Sequence, residues 1–512
     1  MKWKTLQHNG ILFPPPYQSH GITIKINGID FKPNLLQEEM IYHWCKKKNT
    51  KYVNDKTFQQ NFLKDFKKTL HVKSKNIKYS DIDFTYANKL IDKEKAVKEL
   101  MNKDIKKLLT SYRKKIRDEM KEKYGKAVID GEKVDIANYI AEPSGIFIGR
   151  GEHPLRGRWK YKITPHCVTL NLGREATVPI GKWKKIIHDK KSMWIACWED
   201  MLTQKRKYVW LADTSQIKQK RDQAKYDKAI KLSKKINQIK KIIGIDMNDD
   251  NKTKKKIATV CYLIYRAAMR VGDEKDVDEV DTVGATTLRT EHTKLKNKKI
   301  KFDFLGKDSV RWQKDILINN KDDELFYDNL KELIENKKSE EEIFHGITSR
   351  HVNAYYSSII HGLTAKVFRT YLATNVVRNN LQTKNMKSKP LHIKLYHAKL
   401  ANLEAAKMCN HKKTISKTFQ QSIQKKRDML KKINAIKTKT KKQSDKLKIR
   451  KEKAVLAMKL LTKTKDYNLG TSLRNYIDPR VYKTWADEVE VEWEKLYSTS
   501  LQKKFLWIKN TK

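Results

Sequence analysis

Lys255 to Arg270 reads KKIATVCYLIYRAAMR, and no other stretch declares its structure so clearly. Ile257, Val260, Cys261, Ile264 and Ala268 recur at three- and four-residue spacing, the period of an amphipathic helix that buries one face. The helix predicted over 255–270 lies within a segment from Ser215 to about Cys409 whose pattern is mainly helical. That segment holds the largest core. A possible strand pair interrupts it, at TTLRTEHTKL (286–295) and KIKFDFLGKDSVRW (299–312).

Working upstream, the signals from about Tyr124 to Ala212 are short strands and turns. They comprise the loop GRGEHPLRGRWKYK (149–162) and the alternating runs TLNLG (169–173), MWIACW (193–198) and KYVWLA (207–212). This predicts a small β-rich unit. Before it, GITIKING (21–28) reads as a strand closing on an Asn-Gly turn, and helical patterns run from about Asn34 to Lys123. Downstream, Lys412 to Asp466 has no Gly or Pro and is crowded with Lys. Its sparse apolar residues, Ile415, Phe419, Ile433 and Ile436 and then Leu447, Val455, Met458 and Leu461, predict two antiparallel helices turning near Lys439 to Ser444. Such a hairpin is a solvated charge run unless something acidic meets it. The final stretch, Asn468 to Ile508, regains aromatics and turn residues and predicts a small packed domain. At 512 residues the chain exceeds what one core organises, and a prior of about 150 residues per domain gives three or four folding units.

Charge narrows the partners. With 112 Lys+Arg against 59 Asp+Glu the formal net charge is +53, which calls for a polyanion, and nucleic acid fits best. An anionic membrane is the rival, but no apolar run approaches the roughly 18 residues of a span, and the N-terminus lacks a signal-peptide apolar region. A soluble, intracellular protein is therefore expected. The five cysteines (Cys45, Cys167, Cys197, Cys261, Cys409) contain no C-x-x-C pair, which argues against a zinc ribbon or a disulfide framework. Cys409 and His411 make a C-x-H without the second pair that zinc requires.

No phosphate-cradling G-x-x-x-x-G-K-[ST] loop occurs, and GKDS at Gly306 to Ser309 lacks the upstream glycine, so ATP-driven chemistry is not expected. The acidic cluster Asp276, Asp278, Glu279 and Asp281 has the composition of a Mg²⁺ site. It also lies before a Val-Gly turn among lysines and arginines, where charge balance is the simpler role. Two options remain for such a protein: to bind nucleic acid, or to transfer a phosphoryl group using its own cations. The second needs a nucleophile, and spacing alone picks none of the 22 tyrosines.

Several stretches, in order, resemble the eukaryotic nuclear DNA topoisomerase I family: WKTLQHNGILFPPPY (3–17), GRGEHP (149–154), MRVGDEK (269–275), VDTVGATTLRTEH (280–292), FDFLGKDSVR (302–311), GLTAKVFRTY (362–371), CNHKK (409–413) and LGTSLRNYIDPR (469–480). The resemblance implies an α+β multidomain protein, a bilobed clamp around duplex DNA. Residues 1–18 and 124–214 would form a β-rich core subdomain, 19–123 a mixed α/β cap, and 215–411 a mainly helical catalytic core. Residues 412–466 would be a basic helical-hairpin linker and 467–512 a small helical C-terminal domain. The implied enzyme is a type IB topoisomerase and a monomer, working without ATP, metal or other cofactor.

Carried over by position, the resemblance makes Tyr476 the nucleophile and Arg270, Arg369 and His411 the holders of the scissile phosphate. Lys307 is implied as general acid, and Lys162, Lys366, Asp308 and Asn475 as DNA contacts. The residue types suit those roles. Guanidinium forks match phosphate oxygens bidentately and stay charged. A phenol ordinarily titrates near pH 10 and needs cationic surroundings to attack at neutral pH. An alkoxide leaves badly without a proton. Lys162 departs from the family's usual arginine, which puts bidentate contact in doubt, and the basic hairpin is shorter than is typical. The family's long charged N-terminal extension has no counterpart in this sequence. The nucleus is the expected location, with a viral replication compartment or virion as the alternative. Two rivals stay open. A tyrosine recombinase places His in an H-x-x-R box where this chain has Lys366-Val367-Phe368-Arg369. An architectural DNA-binding protein would explain the charge but show no nicking.

Overall fold

The structure is a computed structural model and describes residues 1–70, 76–272, 283–381 and 383–510, apart from the side chains of Asp308 and Asn510. The acidic cluster Asp276, Asp278, Glu279 and Asp281 lies outside the described residues, as does the Asp308 side chain. Helices predominate over five small sheets among the described residues. The chain divides into two compact units, one built on Met1–Lys218 and the other on the residues from Gln219 onward.

In the first unit, β1 (Leu6–His8) is followed by the hairpin of β2 (Ile24–Ile26) and β3 (Ile29–Phe31). Asn27 and Gly28 take φ of 51° and 78° between these strands, the two left-handed residues that a tight hairpin turn demands. Helices α1 (Leu35–Cys45) and α2 (Lys56–Thr69) start where Asn34 and Asp55 accept from backbone N–H groups of Gln37 and Phe58. Next come β4 (Ile82–Asp83), which pairs with β2, then α3 (Thr85–Leu100) and α4 (Lys103–Tyr124). Trp44, Phe58, Phe62 and Phe66 are buried with Ile24 and Met40 in one core.

The rest of this unit is short strands, as its turn-punctuated pattern predicts. β5 (Lys126–Ile129) lies between β1 and β6 (Glu132–Asp135). β7 (Gly145–Ile146) pairs with β8 (Trp159–Lys160). A four-stranded sheet then forms from β9 (Val168–Asn171), β10 (Lys185–Ile187), β11 (Trp194–Glu199) and β12 (Arg206–Trp210), in the order β10-β9-β11-β12. The second core joins Trp3, Leu6 and Ile11 to Leu170, Ile195 and Val209, because β1 pairs antiparallel with β5 and brings the first residues of the chain onto the strands.

The second unit begins within the first turn of α5 (Gln216–Asp246) and continues with α6 (Lys252–Ala267). Here the expected amphipathic helix differs in two ways. Residues Ala258 to Ile264 are buried in unbroken succession, because α6 is covered on several sides by later elements instead of burying a single face. It also stops at Ala267 and not at Arg270: Ala268 takes a left-handed φ of 53°, and the Lys314 ammonium donates to the Ala267 carbonyl at 3.0 Å. The expected strand pair is a three-stranded meander of β13 (Thr293–Lys296), β14 (Lys299–Gly306) and β15 (Val310–Leu317), since 299–312 folds back on itself at Lys307–Ser309. Around α6 pack β15 and the helices α7 (Lys321–Ile334), α8 (Ser349–Ile359) and α9 (Ala365–Asn380). α10 (Leu391–Met408) lies along α9.

The basic hairpin is α11 (Phe419–Asn434) against α12 (Lys441–Lys463). Its turn falls at residues 435–440, earlier than the predicted 439–444, because Thr440 caps α12 by accepting from the Gln443 N–H. Ile423 and Ile433 of α11 are buried, while Ile415 and Ile436 are exposed. The chain ends in α13 (Leu469–Asn475), α14 (Pro479–Glu488) and α15 (Thr499–Lys504). The core of this end is shared with the helices that precede it. Ile477, Tyr482, Trp485 and Phe505 share one core with Ala373 and Val377 of α9 and Ala398, Ala401 and Ala405 of α10. A segment of about 40 residues is marginal by itself, and the alanine-rich face of α10 adds a wall to this core.

Candidate active site

Three segments of the second unit converge on Tyr476, which a fourth carries. The first is the exit from α6. After the left-handed Ala268, Arg270 and Val271 run extended, and their carbonyls accept from Ala285 and Thr286 N–H at 2.8 and 2.7 Å. That close pairing explains both glycines of the two Val-Gly steps. A Cβ on Gly284 would stand 2.3 Å from the Gly272 Cα, and Gly272 itself takes φ of 88°. Breaking the helix here swings Arg270 off the helical path. Its side chain, largely desolvated, comes within hydrogen-bonding reach of Tyr476 and in the field of Arg369.

The second segment is α9, whose buried Arg369 donates through Nη2 to the Cys409 carbonyl at 2.8 Å and through Nη1 to the Tyr476 hydroxyl at 3.3 Å. Its guanidinium carbon lies 4.8 Å from the Tyr476 ring centre, and its Nε is buried without a partner. The third is the turn after α10. Asn410 takes a left-handed φ of 53°, and its side chain donates to the Arg311 carbonyl at 3.1 Å, tying this turn to the β14–β15 hairpin. The His411 ring that follows is 5.1 Å from the Tyr476 ring, and both of its nitrogens are buried without partners. Burial, with Arg369 and Arg270 alongside, pushes this imidazole down to about 3, so it is neutral at physiological pH. A neutral ring still offers one N–H.

The fourth segment carries Tyr476 itself, at the C-terminal cap of α13. Asn468 accepts from Gly470 and Thr471 N–H to start that helix, while its own N–H donates to the His411 carbonyl at 2.7 Å. Thr374 of α9 donates its hydroxyl to the Tyr476 carbonyl at 3.3 Å and accepts from the Asp478 N–H at 3.0 Å. Asp478 caps α14 and chelates the Arg480 guanidinium.

Tyr476, Arg270, Arg369 and His411 therefore sit side by side. Chemically this is a phenol oxygen facing two guanidinium groups and an uncharged imidazole. Arg369 Nε and the one N–H of the neutral His411 ring, desolvated without partners, cost free energy that a bound oxyanion would recover. Lys307 stands elsewhere, on the exposed tip of the β14–β15 hairpin, with no described contact to this cluster. Lys366 is exposed one turn before Arg369 on α9, and Asn475 is exposed beside Tyr476. Lys162 is exposed two residues after the end of β8 in the first unit. Cys409 is a buried thiol pushed up by burial, and it serves the site through its carbonyl.

Reading the sequence did not find Thr374, the Cys409 carbonyl or Lys225. Lys225 of α5 donates to the Asn475 carbonyl at 3.2 Å, and burial pulls its ammonium down to about 8. In the lysine-rich run around it nothing marks this lysine out.

Family models match nearly the whole chain. Residues 1–211 match the eukaryotic DNA topoisomerase I DNA-binding fragment, 214–446 its catalytic core, and 446–512 a C-terminal topoisomerase domain. Curated relatives include DNA topoisomerase 1 beta of Arabidopsis thaliana, at 34% identity over 99% of this chain and 58% of that protein. DNA topoisomerase 1 of Caenorhabditis elegans is 33% identical over 99% of this chain and 66% of its own length. For DNA topoisomerase 1 of Homo sapiens the figures are 30%, 99% and 71%. The chain thus spans little more than half the length of the Arabidopsis relative.

Proposed function

The chain belongs to the eukaryotic DNA topoisomerase I family, and on that footing we propose that it relaxes supercoiled duplex DNA by transient cleavage of one strand. The observation that carries this reading is the meeting of Tyr476 with Arg369, Arg270 and His411. The Tyr476 hydroxyl gives up its proton to water as its oxygen attacks a backbone phosphorus and forms a phosphotyrosyl bond to the 3′ end, while the bond from phosphorus to the 5′ oxygen breaks. Arg270 and Arg369 stabilise the charge that builds on the non-bridging oxygens, and His411 donates one N–H to them. Lys307 gives the departing 5′ oxygen its proton and takes one back on resealing. One phosphodiester is exchanged for another, so religation needs no ATP, and the side chains supply the charges otherwise brought by a metal.

Between the two steps the free strand rotates about the intact one. The α11–α12 hairpin slows that rotation electrostatically, and Lys162, Lys366, Asp308 and Asn475 contact the duplex. The clamp and subdomain layout, the monomeric state and a nuclear location belong to the same proposal, with a viral replication compartment as the alternative location. The decisive measurement is relaxation of supercoiled plasmid in EDTA without ATP, with the covalent adduct trapped by denaturant. Tyr476→Phe should bind DNA as the parent does and form no adduct. If that variant still yields a denaturant-resistant adduct, the nucleophile is another residue.

A further inference from the structure

One face of α5 grips the segment that carries Tyr476. Gln219 donates to the Lys503 carbonyl at 3.2 Å, Asp222 pairs with Lys504 at 2.8 Å, and Asp227 pairs with Arg480 at 2.7 Å. Between them Lys225, with little of its side chain exposed, donates to the Asp222 carboxylate at 3.2 Å and to the Asn475 carbonyl at 3.2 Å, with its Nζ 4.0 Å from the Tyr226 ring centre. The first three contacts are ion pairs or backbone bonds to residues that follow Tyr476 in the chain. Lys225 alone of these touches the peptide that leads into it.

The geometry of that peptide gives the contact its meaning. A peptide unit is planar, so the carbonyl oxygen of Asn475 lies in one plane with the nitrogen and Cα of Tyr476. Fixing the oxygen restrains the Tyr476 N and Cα, and the side-chain direction then depends only on rotation about the N–Cα bond. On the other side of the same Cα, the Tyr476 carbonyl is held by the Thr374 hydroxyl at 3.3 Å. Both peptide planes flanking the nucleophile are thus pinned by a side chain from outside its own helix. The Asn475 carbonyl is also one of the acceptors that a helix leaves without an intrahelical partner at its C-terminus, where a cation is favoured.

We propose that Lys225 is a positioning residue, which by docking on the Asn475 carbonyl holds Tyr476 at the angle from which it attacks. This rests on Tyr476 being the nucleophile, and it adds a device the catalytic set does not contain. Lys225 faces Asp222 on its own helix, Lys366 from α9 and Lys504 from α15, while Arg480 and Asp478 of α14 lie beyond Tyr226. Burial is the main reason its ammonium is weakened to about 8, and the two neighbouring lysines add to it. The grip therefore loses its charge as pH rises past that value.

Single-turnover cleavage of a duplex whose cut end diffuses away, measured from pH 6.5 to 9.5, tests this with the full chain. Lys225→Met should slow cleavage roughly tenfold, the size expected when a charged hydrogen bond no longer holds a reacting group in line, with DNA affinity and thermal midpoint near those of the parent. Lys225→Arg should recover most of the rate, and the ratio of its rate to the parent's should rise as pH passes about 8. Parental cleavage by Lys225→Met, or an Arg-to-parent ratio flat with pH, overturns the proposal. So does a defect confined to DNA affinity, which would make Lys225 a phosphate contact. If Lys225→Met does not fold, the pH ratio for Lys225→Arg decides alone. A parent protein that forms no Tyr476 adduct defeats the functional reading itself, which the parent control reveals separately.

Discussion

Arg369→Ala removes the residue that joins the most parts of the site, and its two consequences separate cleanly. In the folded protein it takes away the donor to the Cys409 carbonyl at 2.8 Å and the donor to the Tyr476 hydroxyl at 3.3 Å. A buried carbonyl left without a partner costs about 1–3 kcal/mol. Against this, the change removes a buried cation whose charge weakens both Arg270 and His411. Stability should therefore fall by no more than about 2 kcal/mol, a thermal midpoint lower by roughly 4–8 °C in a unit of this size. Cleavage should suffer far more, because loss of one preorganised donor to a developing oxyanion costs on the order of 10²–10³ in rate. Arg369→Lys should recover stability better than rate, since a point charge replaces the fork but not its two-armed geometry. The assay pairs calorimetry with single-turnover cleavage at saturating protein. A rate loss under about threefold, or one abolished by raising protein concentration, would refute the placing of Arg369 on the transition state.

Three further outcomes are expected. Lys307→Ala should cut ordinary DNA roughly 10²–10⁴ more slowly and a 5′-bridging phosphorothiolate at nearly the parental rate, since a thiolate leaves without a proton; equal damage on both substrates would make Lys307 something other than the acid. Replacing residues 414–465 with a short linker should leave cleavage intact and speed strand rotation in single-molecule unwinding, because the Lys412–Tyr467 bridge and the Lys413-to-Asp466 backbone bond of 2.8 Å close the hairpin base; unchanged drag would count against the hairpin's role. Asp323 is fully buried, taking Arg266 Nε at 2.9 Å and the Tyr262 hydroxyl at 2.7 Å. Burial raises its carboxyl, but these partners outweigh it and hold the group below the usual carboxylate range. Its contribution is thus complete at neutral pH and lost only as pH falls below that range. Asp323→Asn should lower stability by about 3–5 kcal/mol at pH 7 and by less in acid, and a melting difference independent of pH would refute the pairing.

How much of this could be read beforehand follows from the range of each interaction. The type of most elements was local. The Asn27-Gly28 turn, the alternating strands between 124 and 212 and the glycine-free basic hairpin each state their conformation within a few residues, because backbone preference and hydrophobic period act at that distance. Ordered motifs such as RVG, KVFRTY, CNH and NYIDP carried the resemblance to the family, and with it the candidate residues. Tertiary contact decided the rest. The stop of α6 at Ala267 depends on Lys314 from a strand 47 residues away. The alanines of α10 become the wall of the C-terminal core only once the last segment lies against them, so no composition window could reveal that this core is shared. Which lysine near Tyr476 is desolvated, and that both peptide planes flanking Tyr476 are held from outside α13, depend on α5 and α9 meeting residues some 100 to 250 positions later. Charge and helical period are properties of a segment, whereas burial and hydrogen-bond geometry exist only between segments, and a catalytic site is made of the second kind.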